Sequence, residues 1–248
     1  PASGYARRPV ALGYVGEAVE GALDGAESGN STGCVRRSDD SIFCWGDNFH
    51  GMGDITLPMD VTPTQITVAD VGGCATLEGG EVACWGQGPY VPVGGNRTIA
   101  VLVPGITDAT QVAAGDEHVC VLHSGGTVSC WGENDAYQLG DDTTASNSTP
   151  QAVAGLSDVV QIAAAGTSTC ARRSNGDVWC WGTHTRWQNP PFGTMTLESS
   201  IAARVLGVTG ATDIAGGWNG ACALSAGRVY CMGRNNEERF GLGAMPSV

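Results

Sequence analysis

Lysine is missing altogether: all 12 basic residues are arginines, set against 25 acidic ones, for a formal net charge of −13 at pH 7. That excess excludes a binder of phosphate backbones, whose affinity comes from cations displacing counterions, so no nucleic-acid partner is expected. No apolar run approaches the roughly 20 residues of a membrane span. No stretch repeats with helical periodicity, and no cysteine pair has the close Cys-x-x-Cys-type spacing of a zinc site. A Gly-x-Ser-x-Gly elbow, a His-Glu-x-x-His motif and a phosphate-cradling Gly-rich loop are equally absent. The reading is therefore a non-enzyme with no cofactor and no metal.

What is abundant is glycine, at 38 residues, and cysteine, at 10. The cysteines fall into five pairs: Cys34/Cys44, Cys74/Cys84, Cys120/Cys130, Cys170/Cys180 and Cys222/Cys231. Around each pair, two short β-branched and apolar runs flank a turn, as in Cys120-Val-Leu-His-Ser-Gly-Gly-Thr-Val-Ser-Cys130, the sequence signal of a β-hairpin. A separation of ten places the two cysteines opposite each other across a three-residue turn whose last position is left-handed. Glycine stands there as Gly80, Gly126 and Gly176, and Asp40 stands there in the first copy. The last pair is nine apart and leaves the two-residue turn Ala226-Gly227. Facing positions lie within disulfide reach, so five hairpin disulfides are expected. Each closes a loop of about ten residues, which the chain-entropy model values at roughly 3 kcal/mol. Paired cysteines belong to an oxidising compartment, and the chain reads as secreted or exposed at the cell surface. Sequons at Asn30, Asn96 and Asn147 matter only in a host that glycosylates.

The first cysteines recur at intervals of 40, 46, 50 and 52 residues, the period of a four-stranded propeller blade. Residues 1–8 read as an extended leader, and 9–248 as a single all-β domain with repeats at 9–54, 55–103, 104–148, 149–201 and 202–248. Trp45, Trp85, Trp131 and Trp181 follow the second cysteine in four copies and read as blade core.

The most regular copy runs Ala113-Ala114-Gly115-x-x-His118, a hairpin turning on Gly125-Gly126, then Trp131-Gly132-x-Asn134 and Gln138-Leu139-Gly140. This pattern resembles the regulator of chromosome condensation repeat, and the resemblance covers nearly the whole chain. It implies a β-propeller with blades around a central channel. The family usually closes seven blades; with five repeats here a five-bladed ring is expected, the alternative being part of a seven-bladed one. A strand from the opposite terminus, Pro9-Val10 or Pro246-Ser247-Val248, would complete the last blade, since both resemble Thr149-Pro150-Gln-Ala-Val153. A disulfide in every repeat resembles the secreted branch of the family, which argues against a nuclear or nucleotide-exchange role. His118 falls where the repeat carries a structural histidine.

Candidate catalytic carboxylates are Asp39/Asp40, Asp47/Asp54 and Asp141/Asp142, each pair in or beside a turn, where Asp serves local hydrogen bonding. Aromatics that break the repeat are more informative. Tyr137 and Trp187 both lie seven residues after a second cysteine, where the first two copies have Gly51 and Val91, and Trp218 replaces the Asp116 of the third copy. With Phe49, Tyr90 and Arg186 they form the expected binding set, since Trp, Tyr and Arg supply contact hot spots. The expectation is a protein-binding or structural module: an enzyme inhibitor, or a subunit of a surface assembly that binds copies of itself. The alternative is a lectin or glycoside hydrolase at the channel mouth.

Overall fold

The computed structural model describes residues 16–23, 32–46, 53–58, 61–69, 72–87, 91, 98–189, 193–217 and 220–233, with backbone alone at 184–189 and 193–198. The secondary structure among them is strand, arranged as five antiparallel sheets in chain order. The first sheet is β1 (Ala18–Leu23), β2 (Thr32–Arg37), β3 (Ile42–Gly46) and β4 (Gly53–Ile55). The second is β5 (Pro63–Ala69), β6 (Gly72–Leu77), β7 (Val82–Gly86) and β8 (Val101–Leu102). The third is β9 (Ala109–Ala114), β10 (His118–His123), β11 (Val128–Gly132) and β12 (Asn147–Ala152). The fourth is β13 (Val159–Ala165), β14 (Ser168–Arg173), β15 (Val178–Asn189) and β16 (Gly193–Arg204). The fifth has three described strands, β17 (Ala211–Gly217), β18 (Gly220–Ser225) and β19 (Arg228–Gly233). Each sheet is a blade of a β-propeller, as the repeat implies.

The hairpin reading holds in every blade. Cys34 faces Cys44, Cys74 faces Cys84, Cys120 faces Cys130, Cys170 faces Cys180 and Cys222 faces Cys231, and all five disulfides are formed. The turns take the left-handed conformation where expected: φ is 64° at Asp40, 85° at Gly80, 76° at Gly126 and 80° at Gly176. In the fifth turn both Ala226 and Gly227 have positive φ, 48° and 73°, as a two-residue type I′ turn requires.

A second recurring device joins the blades. The pairing of first and second strand slips by one residue in all five sheets, at Val19, Thr64, Thr110, Val160 and Thr212. Such a bulge re-aims the side chain that follows it. That residue is Gln65, Gln111 or Gln161 in the three middle blades, and its amide grips the backbone of the next blade's first strand. Gln65 donates to the Val112 carbonyl at 3.1 Å and accepts from the Val112 N–H at 3.0 Å. Gln111 holds Ile162 at 2.9 and 2.8 Å, and Gln161 holds Ile214 at 3.0 and 3.1 Å. In the first blade Glu20 has only acceptors to offer; it takes the Ile66 N–H at 3.1 Å and pairs with Arg36 at 3.2 Å. In the fifth blade Asp213 stands at the position and accepts from Gln161 Nε2 at 2.6 Å.

The cores lie between blades. Four buried clusters are found among the described residues, one per boundary. Each combines a blade's disulfide and the residue two before its second cysteine with the first strand of the following blade and that blade's Trp or Met. At the boundary of blades three and four these are Cys120, Cys130, Val128, Ile162 and Trp181. Burying one Val or Ile contributes roughly 1.5–3 kcal/mol. The first strands β1, β5, β9, β13 and β17 pack side by side, and residues of all five line one cavity of about 450 Å³.

Trp85, Trp131 and Trp181 are fully buried, as expected for blade core. Trp45 is only half-buried, because its face of blade one is the one turned away from blade two.

Candidate functional site

After β11 the chain leaves the third blade in a loop of residues 133–146 that carries Tyr137. Buried Asn134 organises it. The Asn134 Nδ2 donates to Asp141 Oδ1 at 3.1 Å and to the Thr143 and Ala145 carbonyls at 2.9 and 3.3 Å, while its Oδ1 accepts the Leu139 N–H at 3.0 Å. Gln138 caps the turn by accepting the Ala136 N–H at 2.8 Å. Leu139 is fully buried as a plug. Gly140 is left-handed at φ 65°, and a Cβ there would fall 2.8 Å from the Trp181 ring, so only glycine lets the loop lie on the next blade. The Trp181 indole N–H donates to the Gln138 carbonyl at 2.9 Å. Tyr137, also left-handed at φ 62°, is half-buried at the apex.

The same loop is bolted to β15 and β16. Thr183 Oγ1 donates to the Ala136 carbonyl at 3.0 Å. The Asp142 N–H donates to the Ser200 carbonyl at 2.9 Å, and Ser200 Oγ donates back to Asp142 Oδ1 at 2.5 Å. These contacts hold the base of a two-stranded ribbon. Whereas β3, β7 and β11 have 5 residues each, β15 and β16 have 12 each, and they pair through His184↔Leu197 and Trp187↔Met195 to Asn189↔Gly193.

The structure thus brings the Tyr137 loop against the ribbon on which Arg186 and Trp187 lie, both within a stretch of irregular register between His184 and Trp187. In the sequence, Asn189-Pro190-Pro191-Phe192 interrupts any strand signal here. The signal for a ribbon lay on either side of those prolines, in His184-Thr-Arg-Trp-Gln and Gly193-Thr-Met-Thr-Leu, where β-branched and other residues alternate. Of the docking residues, Asp142 stood out in the sequence only as a candidate carboxylate, and Thr183 and Ser200 gave no signal. Phe49, Tyr90 and Trp218 lie outside the described residues, as do Pro9-Val10 and Pro246-Ser247-Val248.

The carboxylates considered for catalysis are engaged locally. Asp39 accepts from the Ser41 hydroxyl and N–H, which hold its carboxyl below the usual range. Asp40 and Asp54 pair with Arg36 and Arg37 at 3.4 and 2.6 Å. Asp141 accepts from Asn134 and Thr143, and Asp142 from Ser200. Asp47 lies outside the described residues. The hydrogen bond from His123 lowers Asp108, and that from Arg173 lowers Asp158. A glycosidase acid needs the opposite direction, a carboxyl whose pKa is raised. Among the described residues no group of three or more His, Cys, Asp and Glu is placed to hold a metal ion.

His118 is fully buried at the boundary of blades three and four. Its Nε2 is hydrogen-bonded to Thr169 Oγ1 of the fourth blade at 2.7 Å, and its Nδ1 has no partner among the described residues. Burial pushes its pKa down to about 4, so it is a neutral structural bridge. His123 is bonded to Asp108 and Ser129 at 2.6 and 3.0 Å.

Family models for the regulator of chromosome condensation (RCC1) repeat match residues 125–172, and, in a second version, residues 109–138 and 159–186. The fold is shared with solved structures, yeast RCC1 among them. Human WBSCR16 superposes with a TM-score of 0.73 at 19% identity, over 86% of this chain and 62% of that one. Yeast RCC1 (Prp20), solved bound to Kap60, gives 0.67 at 19% identity over 86% and 56%. The CRINKLY WD40 ectodomain of the Arabidopsis thaliana receptor kinase ACR4 gives 0.56 at 22% identity over 88% and 70%. The chain therefore spans little more than half the length of the first two. No curated protein sequence matches it. Repeats, fold and hairpin staples together define a β-propeller of the RCC1-repeat type. The chain is a disulfide-containing relative of the RCC1-repeat proteins.

Proposed function

We propose that the protein is an extracellular binding module that engages a protein partner through the surface formed by the Tyr137 loop and the β15–β16 ribbon. The observation that carries this reading is the ribbon itself: of the four pairs of third and fourth strands among the described residues, one is lengthened beyond what its blade needs, and its base is fixed by the neighbouring blade's loop. A rigidly held projection with aromatic residues suits binding, because the ordering cost is met before the partner arrives. Five disulfides support an oxidising, extracellular setting. Proteins of this fold bind other proteins, as yeast RCC1 does Kap60 in the solved complex.

The test is affinity capture from the native extracellular medium, followed by a binding titration with the partner so identified. Trp187→Ala and Tyr137→Ala are expected to weaken binding at least tenfold, as hot-spot residues do, without altering thermal unfolding. Unchanged affinity in both variants would overturn the reading, and binding on a glycan array that is lost in Asp141→Asn would replace it with a carbohydrate-binding one.

A further inference from the structure

Asp108, His123 and Ser129 form a chain of hydrogen bonds on blade three. His123 Nδ1 lies 2.6 Å from Asp108 Oδ1, and His123 Nε2 lies 3.0 Å from Ser129 Oγ. Local structure brings the three together. Ser129 on β11 faces Val121 on β10, and Val121 and His123, two residues apart, point to the same side of the strand. The bulge at Thr110 sets His123 opposite Ala109, so Asp108, one residue earlier, reaches its ring. The Ser124 N–H donates to the Asp108 carbonyl at 2.9 Å and Ser124 Oγ donates to Asp108 Oδ2 at 3.4 Å, which fixes the carboxylate from its other oxygen.

These bonds assign the proton positions. A carboxylate only accepts, so His123 carries its proton on Nδ1 and presents the Nε2 lone pair to Ser129. The bond from His123 holds the Asp108 carboxyl below the usual range, which keeps it an acceptor. Ser129 Oγ has no other hydrogen-bond partner among the described residues, so its proton points at the imidazole. Nucleophile, base and orienting acid stand in the relation that activates a serine.

The equivalent places in blade four show the purely structural version. Asp158, Arg173 and Trp179 stand there: the guanidinium bonds the carboxylate at 2.9 Å and lies over the indole, 5.5 Å from the ring centre. Blade one likewise seats Arg37 over Phe43 at 4.8 Å. An arginine stays charged and takes up no proton. Blade three puts an imidazole and a hydroxyl in place of guanidinium and ring, which keeps the pairing with the acid and adds a proton acceptor and a nucleophile.

We propose that Ser129 is the nucleophile of an esterase site, with His123 as its general base and Asp108 as the residue that positions the imidazole. Ser129 Oγ bonds to the ester carbonyl carbon while its proton passes to His123 Nε2. The bond from that carbon to the alkoxy oxygen then breaks, and the leaving alcohol takes the proton. Water, deprotonated by the same nitrogen, cleaves the acyl-serine, releases the carboxylic acid and restores the hydroxyl. The Asp108 side chain is 47% exposed, Ser129 is half-buried, and none of the three lines the central cavity, so the substrate meets the serine at the surface. That suits a small ester with a good leaving group, not an amide, whose cleavage draws on binding energy from flanking groups.

The test is labelling of the full oxidised chain with a fluorophosphonate, whose fluoride a reactive serine oxygen displaces, read by peptide mapping, together with hydrolysis of p-nitrophenyl acetate. Label is expected on Ser129 and is expected to be absent in Ser129→Ala. His123→Gln is expected to slow labelling by about a hundredfold or more. His123→Arg rebuilds the arginine–aspartate pair of blade four, so it is expected to keep the thermal melt of the native chain while losing labelling and hydrolysis alike. Asp108→Asn is expected to slow both reactions by about tenfold or more, and Asp108→Glu to recover part of the rate. No label on Ser129 in the native chain, or a labelling rate unchanged in both His123 variants, would overturn the proposal.

Discussion

Gln111 and Ile162 are joined by two hydrogen bonds across a blade boundary: the side-chain amide of one reads both the N–H and the carbonyl of the other, at 2.8 and 2.9 Å. This pair shows how the propeller is held. Strand pairing ends at the edges of each blade, and a half-buried glutamine satisfies the backbone groups that face across the gap.

Gln111→Leu is expected to cost about 2 kcal/mol in urea unfolding, since it leaves the Ile162 N–H without its acceptor. Gln111→Glu keeps the acceptor and loses the donor, as Glu20 does at the first boundary, and is expected to cost about half as much. Equal losses in the two variants would mean that side-chain volume, not the paired hydrogen bonds, holds the boundary.

The buried His118 sets an acid limit. Its folded pKa, near 4, lies below the ordinary 6.5 of an unfolded histidine, so the unfolded chain binds the extra proton. The stability it protects is complete above pH 6.5 and falls as pH drops toward 4, by roughly 3 kcal/mol in all. In His118→Gln the slope of stability against pH over that window is expected to flatten. A slope unchanged from wild type would assign the acid sensitivity to other groups.

The disulfides are expected to reduce unequally. Eight cysteines are fully buried, but Cys222 and Cys231 are partly exposed, and thiol attack needs access to sulfur. Limited reduction followed by alkylation and peptide mapping is expected to label Cys222 and Cys231 first. Initial labelling at Cys120 or Cys130 would contradict this order.

The third turn offers a paired comparison. Gly126 is left-handed at φ 76°, and a Cβ there would lie 3.3 Å from the Asp158 backbone, so Gly126→Ala is expected to cost about 1–2 kcal/mol. Gly125 lies outside that conformation with nothing within 4 Å, and Gly125→Ala is expected to stabilise by about 0.4–1 kcal/mol, by restricting the unfolded chain. Thermal melts of the two variants are expected to move in opposite directions.

The hairpins, their register and the handedness of their turns were legible in the sequence, because cysteine spacing and turn residues report local geometry. The interblade clamps were not. Gln65, Gln111 and Gln161 look like ordinary polar strand positions, and only the bulge before them together with the neighbouring strand gives them a task. Trp45 carries the same sequence signal as Trp85, yet it is half-buried, because burial depends on which blade lies against that face. At the candidate site, Tyr137 and Trp187 stood out as departures from the repeat. The docking of the Tyr137 loop on the base of the ribbon depends on Thr183, Asp142 and Ser200, whose hydrogen bonds join segments far apart in the chain.

The straddling cores have a consequence for how such a chain grows. Each boundary is assembled from the same parts, a stapled hairpin on one side and a first strand with its Trp or Met on the other. A duplication or deletion of one whole period recreates that boundary wherever within the blade the genetic break falls, whereas a change of part of a period leaves two faces that do not fit. Arrays built this way vary in steps of one blade, and insertions that escape this arithmetic are confined to places such as the far end of the β15–β16 ribbon, where two strands run on past the length of the other blades' strands.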